Sequence, residues 1–192
     1  MDESTRQSLD KWPNVPHVYG WLALDARGHW LLRNPASGAF ERIANAALRA
    51  YISRNYDADP SGAWYFQNGP QRVYVRLERT PLVFRLQPGG LVDHCGRAAG
   101  TLRGAWLEEG GALLLEGERG VGVLDDRDLG AVCGCIVDDH GAPLEEGPLT
   151  ALLEGDRRVA AYLACNGARL ALARIDGAAL AARFSFIPEP SP

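Results

Sequence analysis

Lysine is almost absent from this 192-residue sequence, which contains one, Lys11, and carries the rest of its positive charge on arginine. The formal net charge is −4. Because a general nucleic-acid-binding protein needs a concentrated basic surface to neutralise phosphates, this composition argues against binding to nucleic acid.

Long apolar runs are also absent. A membrane-spanning helix needs about 20 apolar residues, and charged residues interrupt even the Ala- and Leu-rich C-terminal part of the sequence. The first residues, MDESTRQSLDKW, lack the apolar stretch flanked by basic residues that a signal peptide contains. We therefore expect no membrane segment and a cytoplasmic location.

Motifs that would identify a reaction are missing as well. The sequence contains no Gly-x-Ser-x-Gly elbow, no phosphate-binding Gly-x-x-x-x-Gly-Lys-Ser/Thr loop and no dinucleotide-binding glycine pattern. It thus indicates no cofactor and favours a non-enzymatic role.

The residues that are present divide the chain into two unlike halves. Residues 1–90 contain 12 of the 16 aromatic residues, and their ten arginines and one lysine against eight acids give a net charge of +3. Residues 91–192 contain nine arginines against 16 acids, a net charge of −7. This asymmetry predicts two modules, of which the first is the better candidate for binding an anion.

The first half has the pattern hairpin, helix, hairpin. Residues 19–33 contain two apolar runs around a turn, which indicates a β-hairpin. The spacing of apolar residues over 39–54 predicts an amphipathic helix, with Ser37 as N-cap and Asn55 as terminator. Residues 64–67 and 71–78, separated by a tight turn, then predict a second hairpin, and a strand follows at 82–86.

The second half repeats this order. We predict a hairpin over 102–116, a strand at 121–124, helices after Asp125 and over 149–154, and a final hairpin around Asn166 and Gly167. The sequence therefore predicts an α+β protein of two modules, each a small antiparallel sheet with a packed helix. The predicted modules span residues 12–88 and 91–188, with a flexible N-terminus at 1–11, a linker at 87–90 and a tail at 189–192.

One candidate binding surface follows from strand alternation. On the strands over 71–86 three arginines and one tyrosine, Arg72, Tyr74, Arg76 and Arg85, are predicted to point outward. The preceding strand adds Trp64 or Phe66 to the same face. Arginine beside aromatic rings binds anions and peptides through forked hydrogen bonds and stacking. We predict that an anionic small molecule or an acidic protein segment binds here, through Trp64, Arg72, Tyr74, Arg76 and Arg85.

Three alternatives to this site stay open. The first is an ordinary arginine-rich sheet face, either solvated or covered by the acidic second half. A homodimer could bury it as a scaffold. The third is a small hydrolase or metal-binding protein that uses the cysteines and histidines, His94, Cys95, Cys133, Cys135 and His140.

Several segments also resemble a family of proteobacterial proteins of unknown function. The segments are Trp12–Pro16, Tyr19–Leu22, Phe66–Val75, Leu124–Leu129 and Ala182–Pro188. More loosely, a Gly-Trp hairpin, a helix and a hairpin that ends near Thr80-Pro81 are similar to another uncharacterised bacterial family with repeated α+β motifs. For that second family a signalling or binding role is suggested, while the first resemblance implies no activity, cofactor or catalytic residue.

Overall fold

The structure, a computed structural model, describes residues 15–165 and 168–192 and contains two compact units. Unit 1 runs to Pro81 and also contains His94–Gly96 and Ser185–Pro192. Unit 2 contains Leu82–Asp93 and Arg97–Phe184. Each unit is built on one mixed β-sheet.

The sheet of unit 1 has six strands and one helix in its connections. The elements are β1 (Val18–Leu24), β2 (Trp30–Arg33), β3 (Phe40–Arg42), α1 (Ala46–Arg54), β4 (Tyr56–Ala58), β5 (Trp64–Asn68) and β6 (Gln71–Leu77). The strand order is β3-β2-β1-β6-β5-β4. The central pair, β1 and β6, is parallel, and the other pairs are antiparallel.

The sheet of unit 2 has eight strands in the order β12-β13-β14-β9-β10-β11-β7-β8. The strands are β7 (Leu82–Gln87), β8 (Gly90–Asp93), β9 (Gly104–Glu108), β10 (Leu113–Gly117), β11 (Gly120–Leu124), β12 (Ile136–Val137), β13 (Tyr162–Cys165) and β14 (Ala168–Ile175). The helices are α2 (Leu129–Cys133), α3 (Glu146–Leu153) and α4 (Leu180–Arg183). Within the described residues, no helix is long and apolar enough to cross a membrane.

Six strands of unit 2 repeat the topology of unit 1. In unit 1, two three-stranded meanders flank α1, and the first and last strands are parallel neighbours. Strands β9–β11 and β12–β14 are arranged in the same way, with β9 parallel to β14. The predicted α+β class and the repeated element order are confirmed, but the prediction of purely antiparallel sheets is wrong. The expectation of a helix packed on each sheet stays a prediction.

Helix α1 begins later than the apolar spacing predicts. Residues Phe40–Arg42 form strand β3 instead, because they complete a meander with β2. The helix starts after Asn45, whose side-chain oxygen accepts the Leu48 N–H at 3.0 Å, and it ends at the predicted Asn55. Ser37 is therefore not the N-cap, and its hydroxyl accepts the Ala39 N–H in the loop before β3.

The boundary between the units also differs from the prediction. Residues 87–90 form the turn of the β7–β8 hairpin inside unit 2, and the chain passes between the units after Pro81. Ser185–Pro192 belongs to unit 1, where Ile187 forms a parallel bridge with Ala63 and the Pro188 carbonyl accepts the Leu77 N–H at 2.8 Å. The predicted N-terminal segment 1–11 and the turn at 166–167 lie outside the described residues.

The observed start of α1 leads to a stability prediction. Asn45→Ala should lower the free energy of unfolding by about 1 kcal/mol, because it removes the side chain that satisfies a free helical N–H. Ser37→Ala is the matched control and should cost a few tenths of a kcal/mol, since its loop is exposed. Urea unfolding of both variants measures this, and a larger loss for Ser37→Ala would mean that the helix starts near residue 37.

Candidate ligand-binding groove on unit 1

The predicted binding residues do not form one surface. Arg72, Tyr74 and Arg76 lie on the same face of β6, as alternation along a strand requires. Tyr74 is buried, whereas the Arg76 side chain is 53% exposed. Only part of the predicted set is therefore accessible to a ligand.

Trp64 lies on the opposite side of the sheet. Register pairs Tyr65 with Tyr74, so Tyr65 shares the arginine face and its neighbours Trp64 and Phe66 point the other way. Trp64 is buried, with its ring 4.8 Å from that of Tyr56. The prediction that Trp64 or Phe66 lies on this face is therefore wrong, because Tyr65 occupies it instead.

Arg85 belongs to unit 2 and is part of its internal structure. Its Nε donates to Asp128 Oδ2 at 2.6 Å, and the same carboxylate accepts the Leu86 N–H. The Arg85 guanidinium also lowers the pKa of Asp128 below its usual value, mainly by hydrogen bonding. The Arg85 guanidinium is therefore engaged within unit 2.

Arg72 and Tyr74 are part of an internal polar network. The Arg72 guanidinium lies 4.5 Å from the Tyr65 ring centre, and against the opposing effect of burial its interactions with the Tyr74 and Tyr65 side chains help to raise the pKa of Arg72. The Tyr74 hydroxyl donates to Asp59 Oδ2 at 2.9 Å, and the Tyr74 ring stacks on Tyr19 at 4.7 Å. Because these groups interact with one another, we infer that they stabilise this face of the sheet.

The pKa values in this network favour the observed proton positions. Burial raises the pKa of Tyr74, so its hydroxyl stays protonated and donates. Burial opposes ionisation of Asp59 too, but hydrogen bonds from the Ser61 and Tyr74 hydroxyls and from backbone N–H groups hold the pKa of Asp59 below its usual value. The carboxylate is thus a permanent acceptor at neutral pH.

Arg76, in contrast, lies on the rim of an open groove of about 270 Å³. Apolar side chains and one acid complete its lining, which consists of Ala23, Leu24, Leu31, Phe40, Leu77 and Glu78. The guanidinium of Arg76 is 6.0 Å from the Phe40 ring centre, and its nearest carboxylate, that of Glu189, is 3.7 Å away and 72% exposed. The groove thus combines an apolar floor with a positively charged side chain, Arg76, whose paired acid is largely solvated.

The groove exists because a small residue occupies the middle of the sheet. Ala23 on β1 pairs with Arg76 on β6 and with Leu31 on β2. At this position a side chain of one carbon leaves the space over β1 open, so that the Arg76 and Phe40 side chains approach each other from strands three positions apart. A larger residue at position 23 would fill the groove.

Unit 2 has a tryptophan at the corresponding position. Ala23 and Trp106 each lie two residues before a turn of the same hydrogen-bonding pattern, begun by Asp25 in unit 1 and Glu108 in unit 2. The parallel partner of Trp106 is Ala173, where unit 1 has Arg76. The Trp106 ring contacts Phe184, 4.9 Å between ring centres, and Arg183. The two units thus share a framework and differ in this space.

The cysteines and histidines of the metal or hydrolase alternative do not assemble into a site. The His94 ring packs against the rings of Trp30 and Tyr56, and His140 is exposed beside Asp139. Cys133 is exposed and Cys95 is half-buried. In the parts of the chain that the structure describes, no group of three or more His, Cys, Asp or Glu residues could hold a metal ion.

Cys135 contacts a cysteine outside the predicted set, Cys165, and burial together with a hydrogen bond to Cys135 raises the pKa of Cys165 to about 12. A thiol with so high a pKa is protonated at neutral pH and is a poor nucleophile. This pair therefore gives no support to cysteine catalysis.

The fold and the groove define an α+β protein of two units that share a six-stranded topology. The chain belongs to the DUF2944 family, whose model carries the description "Protein of unknown function (DUF2946)" and matches residues 1–191. This confirms the resemblance to a family of unknown function. No curated protein matches the sequence significantly.

The fold is similar to that of a DUF1285 family protein from Silicibacter pomeroyi DSS-3, known from its crystal structure. The TM-score is 0.51 and the sequence identity 14%, over 83% of this chain and 84% of the other. At this identity the similarity shows the fold alone.

Sequence reasoning finds Arg76 but misses the rest of the groove. Phe40 is placed on a helix by its spacing from Ile43, although it lies on β3. Ala23, Leu31 and Glu78 carry no chemical signal of their own, and only the pairing of β1 with β6 brings them beside Arg76. A search for small residues at the centre of predicted hairpins is the one signal that points to Ala23.

The lowered pKa of Asp59 makes a prediction about acid stability. A carboxylate whose folded-state pKa is below the unfolded one stabilises the fold fully above about pH 4, and this contribution is lost as the pH falls through the folded-state pKa. Asp59→Asn should therefore lower stability by about 1 kcal/mol at pH 7, and by progressively less below pH 4.

Melting temperatures from pH 7 to pH 3 test this prediction. Asp57→Asn is the control, because it makes the same change at an exposed position on the neighbouring strand β4. A constant difference between wild type and Asp59→Asn across this range would contradict the prediction.

Proposed function

We propose that the protein is a non-enzymatic binding protein, and that the groove on unit 1 binds an anionic small molecule whose occupancy serves a regulatory role. The observation that carries the proposal is Arg76, a half-exposed guanidinium on the rim of an apolar groove. The carboxylate that pairs with it, that of Glu189, is itself largely exposed. Forked hydrogen bonds from a guanidinium match the geometry of carboxylate and phosphate groups.

The contact with Glu189 leaves Arg76 available. Ion pairs between exposed side chains contribute about 0–1 kcal/mol, and this pair has a separation of 3.7 Å with both partners more than half exposed. A ligand that also buries apolar surface against Phe40 and Leu31 gains energy that Glu189 does not. We therefore expect such a ligand to displace the Glu189 carboxylate.

The comparison between the two units supports a specific role for the groove. On the shared framework, unit 2 has the large side chain of Trp106 at the position of Ala23, and Ala173 at the position of Arg76. Filling this space with a large side chain is the simpler way to stabilise a fold, since buried apolar area stabilises in proportion to its extent. An open groove with a cation at its rim is instead what a binding site needs.

The size of the groove favours a small molecule over an acidic protein segment. Its volume of about 270 Å³ is just below the usual range of small-molecule pockets, roughly 300–1,000 Å³. A protein segment requires a larger contact surface.

Thermal-shift and calorimetric titration with short-chain carboxylates and inorganic phosphate tests the proposal. We expect stabilisation of the wild type by at least one of these anions, and Arg76→Gln should weaken its binding at least tenfold, as the loss of a charged hydrogen bond of about 1.5–3 kcal/mol implies. Ala23→Leu should also weaken binding, because it fills the groove while Arg76 remains.

Arg42→Gln is the matched control for these variants. It removes the same charge from the same sheet face, at a residue that is 60% exposed and does not line the groove. If Arg42→Gln weakens anion binding as much as Arg76→Gln does, binding depends on overall charge and the groove is not the site.

A further inference from the structure

Glu78 gives the groove a second, opposite charge. It follows Arg76 by two residues, just after the end of β6, and its N–H donates to the Leu24 carbonyl at 3.0 Å. Arg76 and Glu78 both line the groove. The groove therefore has a guanidinium and a carboxylate on one rim, both exposed.

The carboxylate of Glu78 is held in place. Its Oε2 accepts the backbone N–H of Ala26 at 3.1 Å, in the β1–β2 turn. This contact with the turn after the neighbouring strand β1 orients the Glu78 side chain. The second carboxylate oxygen, Oε1, remains available to accept a further hydrogen bond. The acid is thus a positioned feature of the groove.

We propose that the ligand of the groove is an amphipathic zwitterion, a molecule with a carboxylate and an ammonium group separated by a short carbon chain. The carboxylate binds Arg76, the ammonium group binds Glu78, and the chain lies against Ala23, Leu31 and Phe40. This inference rests on the proposed function in that Arg76 binds an anionic group of the ligand, and it adds a cationic group at the ligand's other end.

Charge complementarity favours this class over a dianion. A ligand with two negative groups places one of them near Glu78, and like charges repel each other more strongly beside an apolar surface than in water. A zwitterion has an attractive partner at each position instead. Its separation of charges must be close to that of the two side chains, which requires several carbon atoms between its charged groups.

The protein itself supplies partners that resemble both ends of such a ligand. The Glu189 carboxylate lies 3.7 Å from Arg76, where the ligand carboxylate would bind. The Ala26 N–H donates to Glu78, as an ammonium group would. These contacts show that each charged residue accommodates the complementary group.

A set of six-carbon probes tests the inference by calorimetric titration at constant ionic strength. The probes are 6-aminohexanoate, hexanoate, hexylamine and adipate, which share a chain and differ in their end groups. We expect 6-aminohexanoate to bind at least fivefold more tightly than hexanoate and at least tenfold more tightly than adipate. Arg76→Gln should abolish the binding of 6-aminohexanoate.

Glu78→Gln separates this inference from the proposed function. The variant should bind 6-aminohexanoate no better than hexanoate, and its affinity for adipate should rise toward that for hexanoate. Glu41→Gln, which removes a carboxylate from the opposite face of the sheet on β3, is the matched control and should leave all four affinities unchanged. Melting temperatures near that of the wild type verify that the variants fold.

The outcomes are distinct. Equal affinities for 6-aminohexanoate, hexanoate and adipate, all dependent on Arg76 and independent of Glu78, would overturn the zwitterion and leave the proposed function intact. Binding of hexylamine alone, lost in Glu78→Gln and kept in Arg76→Gln, would overturn both. The absence of Arg76-dependent binding of any carboxylate or of phosphate would likewise overturn both.

Discussion

The parallel pairing of the first and last strands of each unit is the constraint on which the remaining structure depends. Parallel neighbours cannot be joined by a tight turn, and the segment between β1 and β6 accordingly contains two further strands, a helix and another hairpin. The same holds for β9 and β14. This pairing joins two local meanders into one sheet, and in unit 1 it places Ala23 beside Arg76. Without it, the groove has neither its floor nor its cation.

A shared framework allows the two units to differ without losing their fold. The cation–π pair of Tyr65 and Arg72 in unit 1 recurs as Tyr162 and Arg169 in unit 2, at corresponding strand positions and with the same separation of seven residues. In unit 2 the arginine also donates to the carbonyls of residues 138 and 139. These contacts stabilise the hairpins themselves, which explains why the pair is present in both units while the groove is a feature of unit 1.

Local patterns in the sequence predict the hairpins because turn chemistry and alternation act over a few residues. The helix start was not predictable from spacing, since Phe40 and Ile43 satisfy a helical period while strand pairing determines their conformation. The face of Trp64 was missed for a related reason: a one-residue change of register moves every side chain to the other side of the sheet. Arg76 was recognised from its charge, but its apolar surroundings come from strands distant in sequence, which no local pattern reports.

The availability of the Arg72 and Arg76 side chains to a ligand depends on what surrounds each guanidinium. Arg72 lies against the Tyr65 ring and next to the hydroxyl of Tyr74, which in turn donates to Asp59, so its charge is already part of a buried network. Replacing its partners by a ligand would leave polar groups unsatisfied, which is costly in a partly buried environment. Arg76 has apolar neighbours and a solvated acid, so a ligand can replace water and Glu189 there at little cost. Two arginines on one strand face, separated by one buried tyrosine, thus differ in how available their guanidinium groups are, because burial differs between the two ends of the strand.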